Sequence, residues 1–152
     1  ADPKFHGYSS RGQIEGHDVR LLLPTTFMNR SGQSVVPFAK FYQVTPEAIL
    51  IAHDELDMDP GVIRLKTGGG HGGHNGLRDI VPHIGANFHR LRIGIGHPGS
   101  KERVSGHVLG KAPSSEQALM DAAIDHALSK VKMLVDGQVS QAMNQINAYK
   151  PA

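Results

Sequence analysis

Three polar side chains occupy positions from which they could act on a bound ligand. Asn29 and Asp54 each follow a stretch typical of a buried strand, and Asn75 follows a run of glycines. An amide both donates and accepts hydrogen bonds, and a carboxylate can orient a histidine that acts as a base. Each position also has a simpler interpretation, because asparagine often caps helices and the acids of residues 54–57 could lie in a solvated loop.

The glycine-rich segment 68–76 is the least ordinary part of the sequence. Its Gly68-x-Gly70-x-x-Gly73 spacing formally matches a dinucleotide-binding fingerprint. No acidic residue lies roughly 20 positions farther on to bind a ribose, and no Gly-Lys-Ser/Thr follows as in a P-loop. We therefore discount a nucleotide site and expect this loop to lie at a strand end, where α/β proteins place their binding sites.

A zinc site built from His71, His74 and Asp54 is an alternative, since neutral imidazoles suit zinc. The two histidines lie in a glycine loop rather than on one helix face, so their spacing does not favour a metal. Cysteine is absent, which excludes thiolate ligands, disulfides and a thiol nucleophile. We expect neither a metal nor a cofactor.

Basic residues recur on two predicted strands. Arg64 and Lys66 share one strand face, and Arg90 and Arg92 share another. If these strands are neighbours, their basic faces could form a phosphate-binding patch, although scattered cations usually form a solvated face. Further cations follow in the next loop, namely Lys101, Arg103 and Lys111. A pI near 9.0 with a net charge of +2 permits nucleic-acid binding without requiring it.

The elements that must position these residues alternate between strands and helices. A hairpin is predicted from residues 5–13 and 17–23, and further strands at 49–52, 62–66 and 88–96. Helices are predicted at 31–42, 77–83, from 114 onwards and at 139–149, with a loop at 97–112. This order predicts an α/β fold over residues 1–152, a single domain in which helices sandwich a mixed, twisted β-sheet.

Helical spacing also predicts which side chains are buried. The first helix should bury one face, formed by Val35, Phe38, Ala39 and Tyr42. The long helix that starts at Ser114 should bury a stripe formed by Ile124, Leu128, Val131 and Val135. With no apolar run near the ~20 residues that span a bilayer, and no stretch typical of a signal peptide, we expect a cytoplasmic protein without a membrane partner.

Four segments, at residues 24–32, 53–57, 68–79 and 88–98, together resemble the bacterial peptidyl-tRNA hydrolase family. The resemblance runs from about Phe5 to the C-terminus. It implies an enzyme that cleaves the ester between a peptide and the 3′ ribose of tRNA, and that is monomeric, cytosolic and metal-independent.

The resemblance also implies roles for individual residues. Asp54 would orient the catalytic histidine, Asn29 would contact the substrate end, and Asn75 would bind near the scissile ester and its attacking water. His74 would line the site beside Asn75, and Met28 would form part of its wall.

For the tRNA itself, the resemblance implies two further features. Lys66 and Arg92 match a basic pair that clamps the 5′ phosphate. Residues 99–110 match a mobile lid over the cleft.

The sequence departs from the family pattern at its start. The family opens with a strand, a Gly-x-x-Asn-Pro-Gly segment and a Thr-Arg-His-Asn segment, whose histidine is the general base. None of these is present in the 152 residues, and His53 already has its own place in the family motif. We expect the 152 residues alone to expose core surface and to release no peptide. Two alternatives stay open: a non-catalytic tRNA-binding module, and the metal-dependent hydrolase above.

Overall fold

A computed structural model of the chain describes residues 4–98 and 104–151. Within them the strands are β1 (Gly7–Ile14), β2 (His17–Pro24), β3 (Leu50–Glu55), β4 (Ile63–Thr67) and β5 (His89–Gly94). The α-helices are α1 (Gly32–Phe41), α2 (Asn75–Ile84), α3 (Val104–Leu109), α4 (Ser114–Val135) and α5 (Val139–Asn147). Short 3₁₀ turns lie at Met28–Arg30 and Pro46–Ala48. The chain forms two compact units, Ala1–Leu50 with Thr67–His89 and Ile51–Lys66 with Arg90–Ala152.

The first unit contains the predicted hairpin. β1 and β2 pair antiparallel, from Gly7 opposite Pro24 to Ile14 opposite His17. The turn between them has positive φ at both of its central residues, 51° at Glu15 and 79° at Gly16. Two positive φ values are what a tight hairpin turn requires to match the twist of its strands.

Helix α1 buries a wider face than its spacing predicts. Phe38 and Ala39 are buried as expected. Val35, which the spacing also predicts to be buried, is only half-buried, and its neighbour Val36 is buried instead. Within the first unit α1 contacts both β2 and α2, and the ring of Phe5 packs edge-on against Phe38 at 5.2 Å between centroids. A helix covered on two sides cannot be described by one apolar stripe.

The second unit holds most of a three-stranded sheet in the order β3-β5-β4. Backbone hydrogen bonds join His89 N to Ile49 O and Ile95 N to Glu55 O. These bonds show that β3 and β5 are parallel. Backbone hydrogen bonds also join Gly68 N to Phe88 O and Gly94 N to Val62 O. These bonds show that β5 and β4 are antiparallel. The sheet is therefore mixed, as the sequence predicts.

The buried stripe predicted for α4 is wrong in part. Leu128 is 60% exposed, and the buried residues are Met120, Ala123 and Ala127. α4 packs against α5, and its most completely buried side chains are the small ones of Ala123 and Ala127. A prediction based on the spacing of large apolar residues does not detect a buried helix face that is formed by alanines.

The loop predicted at 97–112 contains the six-residue helix α3. Its His107 Nε2 donates to the carbonyl of Ile95 at 2.7 Å, a contact between distant residues that local sequence does not reveal. The predicted lid lies partly outside the described residues, as do Lys101 and Arg103. None of the helices in the described ranges is long and apolar enough to cross a membrane.

Candidate functional site

The first unit brings Asn29 and Asn75 together. With Arg78 and Asp79 they line a groove of about 310 Å³, which we call the asparagine groove. Asn29 lies in the 3₁₀ turn that precedes α1, and Asn75 is the first residue of α2. Both side chains are exposed, so their amides can meet a ligand from solvent.

Neither asparagine caps a helix. The N-cap residue of α1 is Ser31, and that of α2 is His74. His74 Nδ1 accepts hydrogen bonds from the N–H groups of Gly76 at 3.1 Å and Leu77 at 3.2 Å. The capping interpretation of Asn29 and Asn75 is therefore wrong, and His74 has the role that the sequence suggested for its neighbour.

Gly76 lets the first turn of α2 lie directly against the turn that carries Asn29. A Cβ at Gly76 would lie 2.9 Å from Met28 Sδ and 3.0 Å from Ser31 Oγ, so these neighbours would have to shift to make room for it. Glycine removes that clash. The contact brings Met28 to the start of α2 and sets Asn75 beside Asn29.

Asp79 and Arg78 belong to the groove, although sequence reasoning did not identify them. The N–H of Gly32 donates to Asp79 Oδ2 at 2.7 Å, which places a carboxylate at the N-terminus of α1, where the helix dipole favours it. Arg78 adds a positive charge to the groove. Their positions three and four residues after Asn75 put all three on one helix face, which is the signal that could have revealed them.

The glycine loop uses its glycines and histidines to hold its own shape. Its backbone has positive φ at Gly68, Gly69, Gly72 and Gly73, a conformation that favours glycine. His71 Nδ1 accepts the N–H of Gly73 at 3.0 Å. Among residues 4–98 and 104–151, no three His, Asp or Glu side chains gather in a way that could hold a metal ion.

Asp54 lies within β3 of the second unit rather than beyond its end, because the strand continues to Glu55. Its carbonyl oxygen accepts a hydrogen bond from Nδ1 of the buried His53 at 2.8 Å. Of the three acids Asp54, Glu55 and Asp57, the first two therefore lie in a strand and not in a solvated loop. Glu55 forms an ion pair with Arg92 at 2.8 Å, and its side chain is only 11% exposed.

The basic strand residues form a row on one sheet face, in the second unit. The antiparallel register places Arg64 opposite Arg92 and Lys66 opposite Arg90. Lys66 is exposed and the Arg92 side chain is 31% exposed. Arg90 is 2% exposed, and burial lowers the pKa of its guanidinium. The expectation that Arg90 adds to a solvent-facing patch is therefore wrong, because the Arg90 side chain is covered although Lys66 opposite it is exposed.

Comparison with known proteins identifies the family. Residues 1–152 match the family model described as peptidyl-tRNA hydrolase. The chain belongs to the peptidyl-tRNA hydrolase family. It is 90% identical over 151 residues to the peptidyl-tRNA hydrolase of Acinetobacter baumannii (strain AYE), covering 99% of this chain and 78% of that protein.

More distant relatives and a solved structure agree with this assignment. The peptidyl-tRNA hydrolase of Psychrobacter cryohalolentis is 62% identical over 149 residues, covering 98% of this chain and 77% of the relative. A crystal structure of the A. baumannii enzyme superposes with a TM-score of 0.98 at 89% identity, covering 100% of this chain and 78% of that one. The predicted α/β fold and the predicted hydrolysis of peptidyl-tRNA are thus confirmed.

The helix cap formed by His74 in this hydrolase leads to a first prediction. Replacing His74 with alanine should lower the free energy of unfolding by about 1 kcal/mol, the usual cost of losing a helix cap. Replacing it with asparagine, a favoured cap residue that can accept the same N–H bonds, should cost less than replacement with alanine. Urea unfolding measures both values, and equal stability of the two variants would contradict the capping role.

Proposed function

We propose that three groups of residues in this peptidyl-tRNA hydrolase have separate roles in the reaction. Asn29 and Asn75 of the asparagine groove bind the ester end of the substrate, and Asp54 orients the histidine base. Lys66 and Arg92 bind the 5′ phosphate of the tRNA.

The observation that carries the proposal is the pair of amides in the asparagine groove. Attack of water on an ester creates a negatively charged tetrahedral oxygen, and hydrogen-bond donors aimed at that oxygen lower the barrier. Asn29 and Asn75 are exposed, line one groove and cap no helix. A helix cap therefore does not explain their presence, whereas binding of the ester and its attacking water does.

His74 and Met28 lie at the start of α2, next to Asn75 and Asn29 of this groove. Because Nδ1 of His74 accepts backbone N–H groups, a neutral His74 ring carries its proton on Nε2 and can donate from there. Met28 borders Gly76 and is 50% exposed, so it can form an apolar wall. We propose that His74 fixes Asn75 at the start of α2 and lines the site beside it.

Asp54 would act through a histidine. A carboxylate that accepts the Nδ1–H of an imidazole fixes its tautomer and stabilises the imidazolium that forms when the base takes a proton from water. In the family that histidine belongs to the Thr-Arg-His-Asn segment, which residues 1–152 do not include. We place Asp54 in the orienting role and assign it no proton transfer.

We further propose that the enzyme works without a metal or cofactor, as a monomer in the cytoplasm, and that residues 1–152 act as one functional domain. These proposals follow from the family resemblance. The non-catalytic tRNA-binding alternative predicts the same contacts with RNA, and differs only in the absence of ester hydrolysis.

The phosphate contact can be tested by RNA binding alone. We expect the chain to bind an acceptor-stem RNA hairpin more tightly with a 5′ phosphate than with a 5′ hydroxyl. Lys66→Ala should weaken binding of the phosphorylated hairpin about tenfold, as expected for loss of a charge-assisted hydrogen bond. The loss should shrink as salt is raised, because phosphate contacts are screened.

Fluorescence anisotropy with both hairpins at two salt concentrations provides the measurement. Lys132→Ala is the matched control, since Lys132 is an exposed lysine of α4. Equal affinity of the wild-type chain for the two hairpins would refute the phosphate contact. An equal effect of both lysine variants would show only a general loss of positive charge.

A further inference from the structure

The contact between Glu55 and Arg92 fixes one edge of a guanidinium group. Arg92 Nε and Nη2 both donate to Glu55 Oε1, at 3.1 and 2.8 Å. The Glu55 side chain is 11% exposed and that of Arg92 is 31% exposed. The Glu55 side chain is thus nearly covered, while part of the Arg92 side chain faces solvent.

Glu55 also places a negative charge beside a row of cations. Arg64 lies opposite Arg92 on the neighbouring strand, and Lys66 lies opposite Arg90. Like charges directly opposite each other on paired strands are destabilising. A carboxylate bonded to Arg92 offsets that repulsion and holds the guanidinium in one orientation.

We infer that Glu55 is a positioning residue that orients Arg92 toward a terminal phosphate monoester on RNA. The bonds to Glu55 use the Nε–H and one Nη2–H, which are two of the five guanidinium donors. The second donor edge, formed by one Nη1 hydrogen and the other Nη2 hydrogen, is not used by Glu55 and points in a different direction. Two parallel donors on one edge are the arrangement that binds a phosphate in bidentate fashion.

This inference rests on the proposed 5′-phosphate contact and adds a source for its selectivity. Glu55 has two effects on an incoming anion, because its charge repels the anion while its bonds orient Arg92. Glutamine separates them: its Oε1 can accept the same two N–H bonds without the charge. Aspartate does the reverse: it keeps the negative charge, but its side chain is one methylene shorter and so loses the bonds that orient Arg92.

The experiment measures dissociation constants of the chain for acceptor-stem hairpins with a 5′ phosphate and with a 5′ hydroxyl. The quantity compared is their ratio in the wild type and in Glu55→Gln, Glu55→Ala and Glu55→Asp. We expect Glu55→Gln to keep or increase the wild-type ratio. Glu55→Ala and Glu55→Asp should lower it about three- to tenfold, on the scale of one charge-assisted bond, with affinity for the hydroxyl hairpin nearly unchanged.

A second readout follows the orientation of Arg92 directly. The Nε–H resonance of Arg92 should be protected from solvent exchange in the wild type and in Glu55→Gln, and should lose protection in Glu55→Ala. Thermal unfolding identifies any variant that does not fold. If Glu55→Ala does not fold, the comparison of Glu55→Gln with Glu55→Asp decides the question.

Three outcomes would overturn the inference in distinguishable ways. An unchanged ratio in Glu55→Ala and Glu55→Asp means that orientation by Glu55 does not matter. A raised ratio in Glu55→Ala means that Glu55 acts as a competitor for Arg92. A wild-type chain that does not discriminate between the hairpins refutes the proposed phosphate contact itself, and the inference with it.

Discussion

Replacing Asn75 with alanine should lower the rate of peptidyl-tRNA hydrolysis about 100-fold or more, the usual loss when one donor to a developing oxyanion is removed. The variant should remain as stable as the wild type, because Asn75 is exposed and the cap of α2 is His74. Alanine also has the higher helix propensity. The measurement is single-turnover release of peptide, in an enzyme that includes the family's Thr-Arg-His-Asn segment.

Asn144→Ala provides the matched control for this prediction, since Asn144 is an exposed asparagine of α5. It should leave turnover unchanged. Asn75→Asp tests the chemistry further, because it keeps the shape of the side chain but replaces the N–H donor with a negative charge, and should be at least as slow as Asn75→Ala. Turnover of Asn75→Ala within about twofold of the wild type would refute the assigned role.

The sequence predicts most elements of the fold because their signals are local. Glu15 and Gly16 between two extended stretches indicate the hairpin, and alternation of Ile63 and Leu65 with Arg64 and Lys66 indicates β4. Both predictions agree with the structure. The sequence predictions differ from the structure where contacts outside the local sequence decide the outcome. His107 of α3 donates to the carbonyl of Ile95, and α4 buries Ala123 and Ala127 rather than Leu128.

The candidate site was only partly predictable for a related reason. Asparagine is a common residue both at helix caps and at ligand contacts, so the residue type alone could not decide between them for Asn29 and Asn75. Histidine is not among the favoured cap residues, and the capping role of His74 was therefore missed. The hydrogen bonds of His74 Nδ1 to the start of α2 show that His74, and not Asn75, caps this helix.

The pairing of Glu55 with Arg92 lies beyond local sequence analysis altogether. The order β3-β5-β4 puts β5 between two strands that precede it in the chain. Residues 37 positions apart thereby become neighbours. The sequence places a carboxylate and a guanidinium on two separate strands, and only the strand order determines that they meet.

The same strand order leads to the largest expected effect on stability. Among the described residues β4 lies at one edge of the three-stranded sheet, and its register with β5 directs the backbone N–H and C=O of Leu65 away from β5. Asn147 of α5 accepts from the Leu65 N–H at 2.7 Å and donates to its carbonyl at 3.1 Å. Asn147→Ala should lower the free energy of unfolding by about 2–4 kcal/mol, because two backbone groups of a buried residue lose their partners.

Urea unfolding of Asn147→Ala and Asn144→Ala measures this effect against a matched control on the same helix. Both variants replace asparagine with alanine, so the difference between them largely removes the gain in helix propensity and isolates the bonds to Leu65. Asn147→Asp should be at least as unstable as Asn147→Ala at neutral pH, since one carboxylate oxygen would face the Leu65 carbonyl. Equal stability of the Asn147 and Asn144 variants would mean that water replaces both bonds, and that the edge of β4 does not depend on α5.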